Sequence, residues 1–132
     1  METKQLIVPF VLALAMTSCV FSDPLRLTET DNGRTNRIDV GREIEVVLKG
    51  NPTTGYAWDL ASFSTNQFRL AGPGEYRQDE QSGGNLRVGV GGKYIFKFKA
   101  VQPGGCDIKL IYRRSWETTS YDKVYSAIFE IK

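Results

Sequence analysis

Apolar and polar residues alternate along most of the chain after Leu25. The strictest runs have their apolar positions at Ile44, Val46 and Leu48, at Tyr94, Phe96, Phe98 and Ala100, and at Ala127, Phe129 and Ile131. A period of two places one side of each strand in a core and the other side largely in water. Turn-forming residues separate the runs at 31–33, 51–52, 72–74, 82–84 and 103–105. The pattern therefore predicts an all-β domain, and the spacing of its short strands is typical of a β-sandwich.

Composition narrows the class of protein. A chain of 132 residues can close one modest core, and no linker divides it. Its net charge of +2 is too small to indicate nucleic-acid binding. Histidine is absent from the sequence, which removes Ser-His-Asp and Cys-His catalysis and His-containing zinc sites. We expect a binding protein rather than an enzyme, without metal or cofactor.

The N-terminal segment has the pattern of an export signal. Lys4 precedes an apolar run at residues 6–16 that is too short to span a bilayer as an ordinary helix. The residues before Cys19 resemble the end of a bacterial lipoprotein signal, in which Cys19 becomes the lipidated first residue. Met16 departs from that pattern, because leucine is more usual there. We expect a signal at 1–18, a short tether at 19–24 and one domain at 25–132. The protein would be exported, either as a membrane-anchored lipoprotein or as a periplasmic or extracellular protein.

Three further features have structural interpretations. With Cys19 in the anchor, Cys106 has no partner for an internal disulfide. It lies two residues before Ile108, and this spacing places both residues on the apolar face of one strand. We expect a buried structural cysteine rather than a reactive thiol. Trp58 is interpreted as a core tryptophan between two sheets. The polar, glycine-rich segment 72–84 is interpreted as a long mobile loop rather than a carboxylate site.

One hydroxyl-rich stretch lies between two predicted strands. It consists of Asn51, Pro52, Thr53, Thr54, Gly55 and Tyr56. The proline fixes its own φ and the glycine permits a positive φ, so a stiff loop is expected. Its tip would present backbone amides and two threonine hydroxyls. These residues are equally typical of an ordinary strand connection.

Two later stretches have the character of binding loops. The second consists of Gly89, Val90, Gly91 and Gly92. Its glycines allow close backbone approach to another surface, although a glycine-rich hairpin would look the same. The third consists of Arg114, Ser115 and Trp116. A tryptophan beside arginine at a loop is a common interface anchor, and the alternative is a tryptophan folded back as a lid on the core.

In this order, the three stretches resemble the chagasin family of cysteine protease inhibitors. The family pattern is Asn-Pro-Thr-Thr-Gly-aromatic, then Gly-x-Gly-Gly, then Arg-Pro-Trp. The resemblance covers about residues 25–131, and Ser115 departs from it where the family carries proline. The departure puts the stiffness of the third loop in question.

The resemblance implies an immunoglobulin-like β-sandwich with the three loops at one end. The loops would fill the active-site cleft of papain-like cysteine proteases, reversibly and without being cleaved. Thr53, Thr54 and Gly55 would lie nearest the catalytic cysteine and histidine of the protease. The glycine stretch would run along the substrate cleft, and Trp116 would pack on the primed side. A monomer is expected.

Two other classes share some of these features. A non-inhibitory exported β-sandwich, such as an adhesion or envelope-assembly module, would have the same signal and alternation. A carbohydrate-binding module would use Trp116 and Tyr121 as stacking platforms. Neither class requires all three loop motifs together.

Overall fold

The computed structural model describes residues 23–79, 91–117 and 123–132. The predicted signal, Cys19, the turn at 82–84, Gly89, Val90 and Tyr121 lie outside these ranges. Within them the chain forms β1 (Leu25–Leu27), β2 (Thr35–Ile38), β3 (Glu43–Gly50), β4 (Ala57–Phe63), β5 (Phe68–Leu70), β6 (Glu75–Gln78), β7 (Gly92–Ala100), β8 (Gly104–Arg113) and β9 (Lys123–Ile131). Short 3-10 helices form at Glu29–Asp31 and Pro52–Thr54.

The strands form two sheets packed face to face. One sheet has the order β1-β3-β7-β5, with β6 also paired to β7, and the other has the order β2-β9-β8-β4. The pairs β1–β3 and β2–β9 are parallel, and the remaining pairs are antiparallel. No described helix is long and apolar enough to cross a membrane. The all-β sandwich predicted from the alternation is confirmed.

The core lies between the inner faces of the two sheets. The alternating apolar positions predicted for β3, β7 and β9 are all buried. Phe68, on the edge strand β5, contacts both sheets, with its ring centroid 5.0 Å from that of Phe129 and 6.2 Å from that of Phe98. Burying side chains of this size contributes roughly 1.5–3 kcal/mol each. Trp58 is 8% exposed, and its Nε1 donates to the Lys49 carbonyl at 3.0 Å, which confirms its interpretation as a core residue.

Cys106 is half-buried and packs against this core. Burial raises the pKa of its thiol to about 11, and the neighbouring Asp107 charge adds to the increase. The thiol therefore stays protonated near neutral pH and is a poor nucleophile. These surroundings favour a structural role for Cys106 over a reactive one.

The prediction that residues 72–84 form a loop was wrong for Glu75–Gln78, which form β6. This strand pairs antiparallel with β7. Tyr76 packs against Tyr94 with ring centroids 4.9 Å apart, while Arg77 and Glu75 form an ion pair at 2.8 Å. β6 has only four residues and a single large apolar one, Tyr76, so a period of two cannot be recognised in its sequence.

Strand register brings the loop-bearing strand ends together. Gly50 pairs with Gly92, and Ala57 pairs with Arg113. We call this the loop end of the sandwich. Leu25 pairs with Ile44 near the start of β3. The first described strand therefore begins at the end of the sandwich opposite the loop end.

Candidate functional site

The first loop, residues 51–56, is closed by its own hydrogen bonds. The Asn51 Oδ1 accepts from the Thr53 backbone amide at 3.1 Å and from the Thr53 hydroxyl at 2.6 Å. The Thr54 hydroxyl donates to the Asn51 carbonyl at 2.7 Å. Gly55 has a φ of +81°, and its amide donates to the Pro52 carbonyl at 3.0 Å. The loop is thus a rigid 3-10 turn capped by asparagine.

This bonding corrects one expectation about the tip. The Thr53 and Thr54 amides and hydroxyls were expected to be presented to a partner. All four donate instead to Asn51 atoms, the Thr54 amide to the carbonyl at 3.3 Å. Each hydroxyl keeps acceptor lone pairs. The tip therefore offers a partner a fixed shape and hydrogen-bond acceptors rather than free donors.

An aromatic stack supports the first loop from below. The Tyr112 ring lies 5.3 Å from Tyr56 and 5.0 Å from Trp58, centroid to centroid. Its hydroxyl accepts from the Asn51 amide at 3.3 Å. The core tryptophan is thereby connected to the loop through two tyrosines. No local signal in the sequence could show the contact of Tyr112 with Asn51, because the two residues are 61 positions apart.

The third loop is a tight turn after β8. The Glu117 amide donates to the Arg114 carbonyl at 3.2 Å, which closes a four-residue turn with Ser115 at its second position. The Arg114 side chain reaches back to the first loop, where its Nε donates to the Thr54 carbonyl at 3.0 Å. Its guanidinium carbon lies 4.6 Å from the Tyr56 ring centroid. The first and third loops are therefore in direct contact.

Trp116 stands at the junction of these two loops. A Cβ built on Gly55 would lie 2.6 Å from the Trp116 Cη2, so the indole sits directly over the glycine. The side chain is nevertheless on the surface, and the residue is 69% exposed. The alternative of a lid on the core is wrong. A large apolar surface is instead held open to solvent beside the rigid tip.

The second stretch is described only at Gly91 and Gly92. Gly92 is buried as the first residue of β7, and a Cβ there would lie 2.3 Å from the Arg77 carbonyl. Its missing side chain therefore serves the pairing of β6 with β7. Gly91 is half-buried, and its carbonyl accepts from the Asp79 amide at 3.1 Å. The structure places these glycines at the loop end, next to Gly50.

The described part of the site has the chemistry of a docking surface. The described residues contain no cluster of acidic, cysteine or histidine side chains able to hold a metal. The exposed residues of the first and third loops are Pro52, Thr53, Thr54, Ser115 and Trp116. Shape and apolar area are what this surface offers a partner.

Comparison with known proteins identifies the family. The sequence model of the protein family described as chagasin family peptidase inhibitor I42 matches residues 37–128 of this chain. Amoebiasin-1 of Entamoeba histolytica is 37% identical over 102 residues, which are 77% of this chain and 94% of that protein. Chagasin of Trypanosoma cruzi is 29% identical over 100 residues, 74% of this chain and 87% of that protein. The crystal structure of EhICP2, a cysteine protease inhibitor from Entamoeba histolytica, is 28% identical, covers 82% of this chain and 95% of its own, and superposes with a TM-score of 0.71. This chain therefore belongs to the chagasin family of peptidase inhibitors.

Proposed function

We propose that this protein is a reversible, tight-binding inhibitor of papain-like cysteine proteases. Residues 51–56, 89–92 and 114–116 would together occlude the active-site cleft. The observation that carries the proposal is the rigid first loop with Trp116 held exposed beside it. Family membership supports the activity and the non-enzymatic role. It also argues against the adhesion and carbohydrate-binding alternatives.

The geometry of the first loop suits inhibition without cleavage. Thr53, Thr54 and Gly55 would lie nearest the catalytic cysteine and histidine of the protease. Their amides are held in a 3-10 turn, whereas a cleavable segment must adopt an extended conformation with its scissile carbonyl aligned for attack. A loop that is ordered before binding also loses little conformational entropy on docking.

Trp116 would supply the largest single apolar contact. A tryptophan buries about 150–250 Å² when fully covered. Because most of this side chain is exposed in the free protein, covering it would contribute on the order of 3 kcal/mol. Binding on the primed side of the cleft would achieve that burial.

Inhibition kinetics with purified residues 20–132 test this proposal. We expect competitive, reversible inhibition of papain and of papain-like cathepsins, and no inhibition of a trypsin-type serine protease, whose cleft has a different shape. The folded state is verified by circular dichroism in the same buffer. A folded domain that leaves all the papain-like enzymes uninhibited at micromolar concentration would contradict the proposal.

We also propose that the chain is exported, lipidated at Cys19, and monomeric. The apolar run ending in small residues before Cys19 supports export and lipidation. In a bacterial host the full chain should fractionate with membranes, and Cys19→Ala should release it. A mature N-terminus downstream of Cys19, read by mass spectrometry, would refute lipidation but not export. Light scattering of the soluble domain tests the monomer.

A further inference from the structure

The Arg114 side chain contacts both the first loop and its own turn. Its Nε donates to the Thr54 carbonyl at 3.0 Å, and its guanidinium stacks on the Tyr56 ring at 4.6 Å. Its Nη1 donates to the Glu117 carboxylate at 3.4 Å. The side chain is 34% exposed. Three separate groups therefore hold the guanidinium, two on the first loop and one on the third.

The third loop lacks the restraint that proline would provide. Serine at position 115 leaves φ free, and among the described residues the turn at 114–117 is closed by the backbone hydrogen bond from Glu117 to Arg114. The backbone of such a turn has more conformational freedom than one that contains proline. Trp116 nevertheless lies over Gly55, so the position of the indole depends on how the third loop is held against the first.

We propose that Arg114 is a positioning residue that fastens the third loop to the first, and that Glu117 orients its guanidinium. The first loop and Trp116 would then dock as one rigid unit. This inference rests on the proposed inhibitory function. It changes the role expected for Arg114, from a group that contacts the protease to one that prepares the surface. It also assigns a role to Glu117, which lies outside the three sequence motifs.

The chemistry of arginine explains the choice of side chain. A planar guanidinium can stack on an aromatic ring while its edge donates to a carbonyl and a carboxylate. Lysine carries the same charge but cannot present a flat face and two edges together. Without this fastening, only a fraction of molecules would hold Trp116 in place, and the apparent Kd would rise in inverse proportion to that fraction.

The test compares Arg114→Lys and Glu117→Ala with the control Arg113→Lys. Arg113 is the adjacent exposed arginine on β8, and its Nε lies 3.8 Å from the Asp59 carboxylate on β4. Two quantities are measured for each variant. The first is the NMR shift of the Gly55 α-protons in the free protein, which the Trp116 ring current displaces. The second is the Kd for papain.

For Arg114→Lys we expect the Gly55 displacement to shrink and the Kd to rise about tenfold, because lysine keeps the charge but loses the planar contact with Tyr56 and the Nε donor to Thr54. Glu117→Ala should change both quantities in the same direction but less. Arg113→Lys should leave both at wild-type values. Because the NMR spectrum also reports folding, a misfolded variant is recognised and is replaced by Arg114→Gln.

Three results would overturn the inference. An unchanged Gly55 shift with a raised Kd would mean that Arg114 contacts the protease directly. An unchanged Kd with a lost shift would mean that fastening does not matter for docking. Equal effects of Arg113→Lys and Arg114→Lys would mean that the change does not depend on the contacts that Arg114 makes with the first loop. A wild-type domain with a displaced Gly55 signal and no inhibition would count against the proposed function alone, since the NMR signal is measured without protease.

Discussion

The two tryptophans show how differently one residue type serves this protein. Trp58 is 8% exposed and hydrogen-bonded to the Lys49 carbonyl. Trp116 is 69% exposed and rests on a glycine at the loop end. The first contributes to folding and supports the stack beneath the first loop. The second is available for binding.

Alanine substitutions should separate these roles. Trp58→Ala should destabilise the domain by about 3–5 kcal/mol, because it opens a cavity in the core. Trp116→Ala should raise the Kd for papain at least tenfold and leave the melting temperature nearly unchanged, since little buried surface is lost. Thermal unfolding and inhibition kinetics on the same samples measure both effects. A Trp116→Ala domain that unfolds would show that the indole is part of the fold.

At the scale of single elements, the turn at residues 114–117 explains how the chain tolerates Ser115. This residue is the second of a four-residue turn, the position that proline favours. Arg114 before it directly follows β8. The described hydrogen bonds include none donated by the Ser115 amide. The backbone is thus suited to proline, although the sequence carries serine.

Ser115→Pro should therefore stabilise the domain by roughly 0.4–1 kcal/mol, because the unfolded chain loses freedom. Part of this gain should appear as tighter binding, at most about fivefold, through slower dissociation. Ser115→Ala is the matched control, because it removes the hydroxyl without restraining φ. Melting temperatures and dissociation rates from the same protease decide the outcome. A loss of affinity beyond tenfold would mean that the bound turn needs a φ that proline cannot adopt.

At the scale of the whole molecule, the start of β1 and the three loops lie at opposite ends of the sandwich. Leu25 pairs near the start of β3, and the first loop follows the end of that eight-residue strand. At about 3.3 Å per residue, the strand separates the two ends by roughly 26 Å. An anchor at Cys19 would then leave the loops directed away from the membrane.

The proposed anchor should therefore not impair inhibition. We expect membrane vesicles bearing the full chain and the soluble Cys19→Ala form to bind papain with the same Kd, after correction for accessible molecules. Active-site titration supplies that correction. An anchored form more than tenfold weaker would indicate that the membrane obstructs the loops.

The sequence by itself determined the class of fold and the residues of the core. Alternation is a local property of an extended chain, so Val46, Phe98 and Phe129 were assigned to the interior without knowledge of their partners. The contiguous loop motifs were also visible, because each occupies only a few successive residues. The stiffness of the first loop followed from Pro52 and Gly55 in the same way.

Only the tertiary structure decided how these pieces meet. β6 forms because β7 offers it an edge, and no pattern within four residues could show that. Arg114 reaches Thr54 across 60 positions of sequence, and Trp116 covers Gly55 only because β4 and β8 are paired. The loop donors turned inward to Asn51, although their residue types would equally suit a partner. Contacts between distant segments depend on strand register, and register is set by the packing of the whole core.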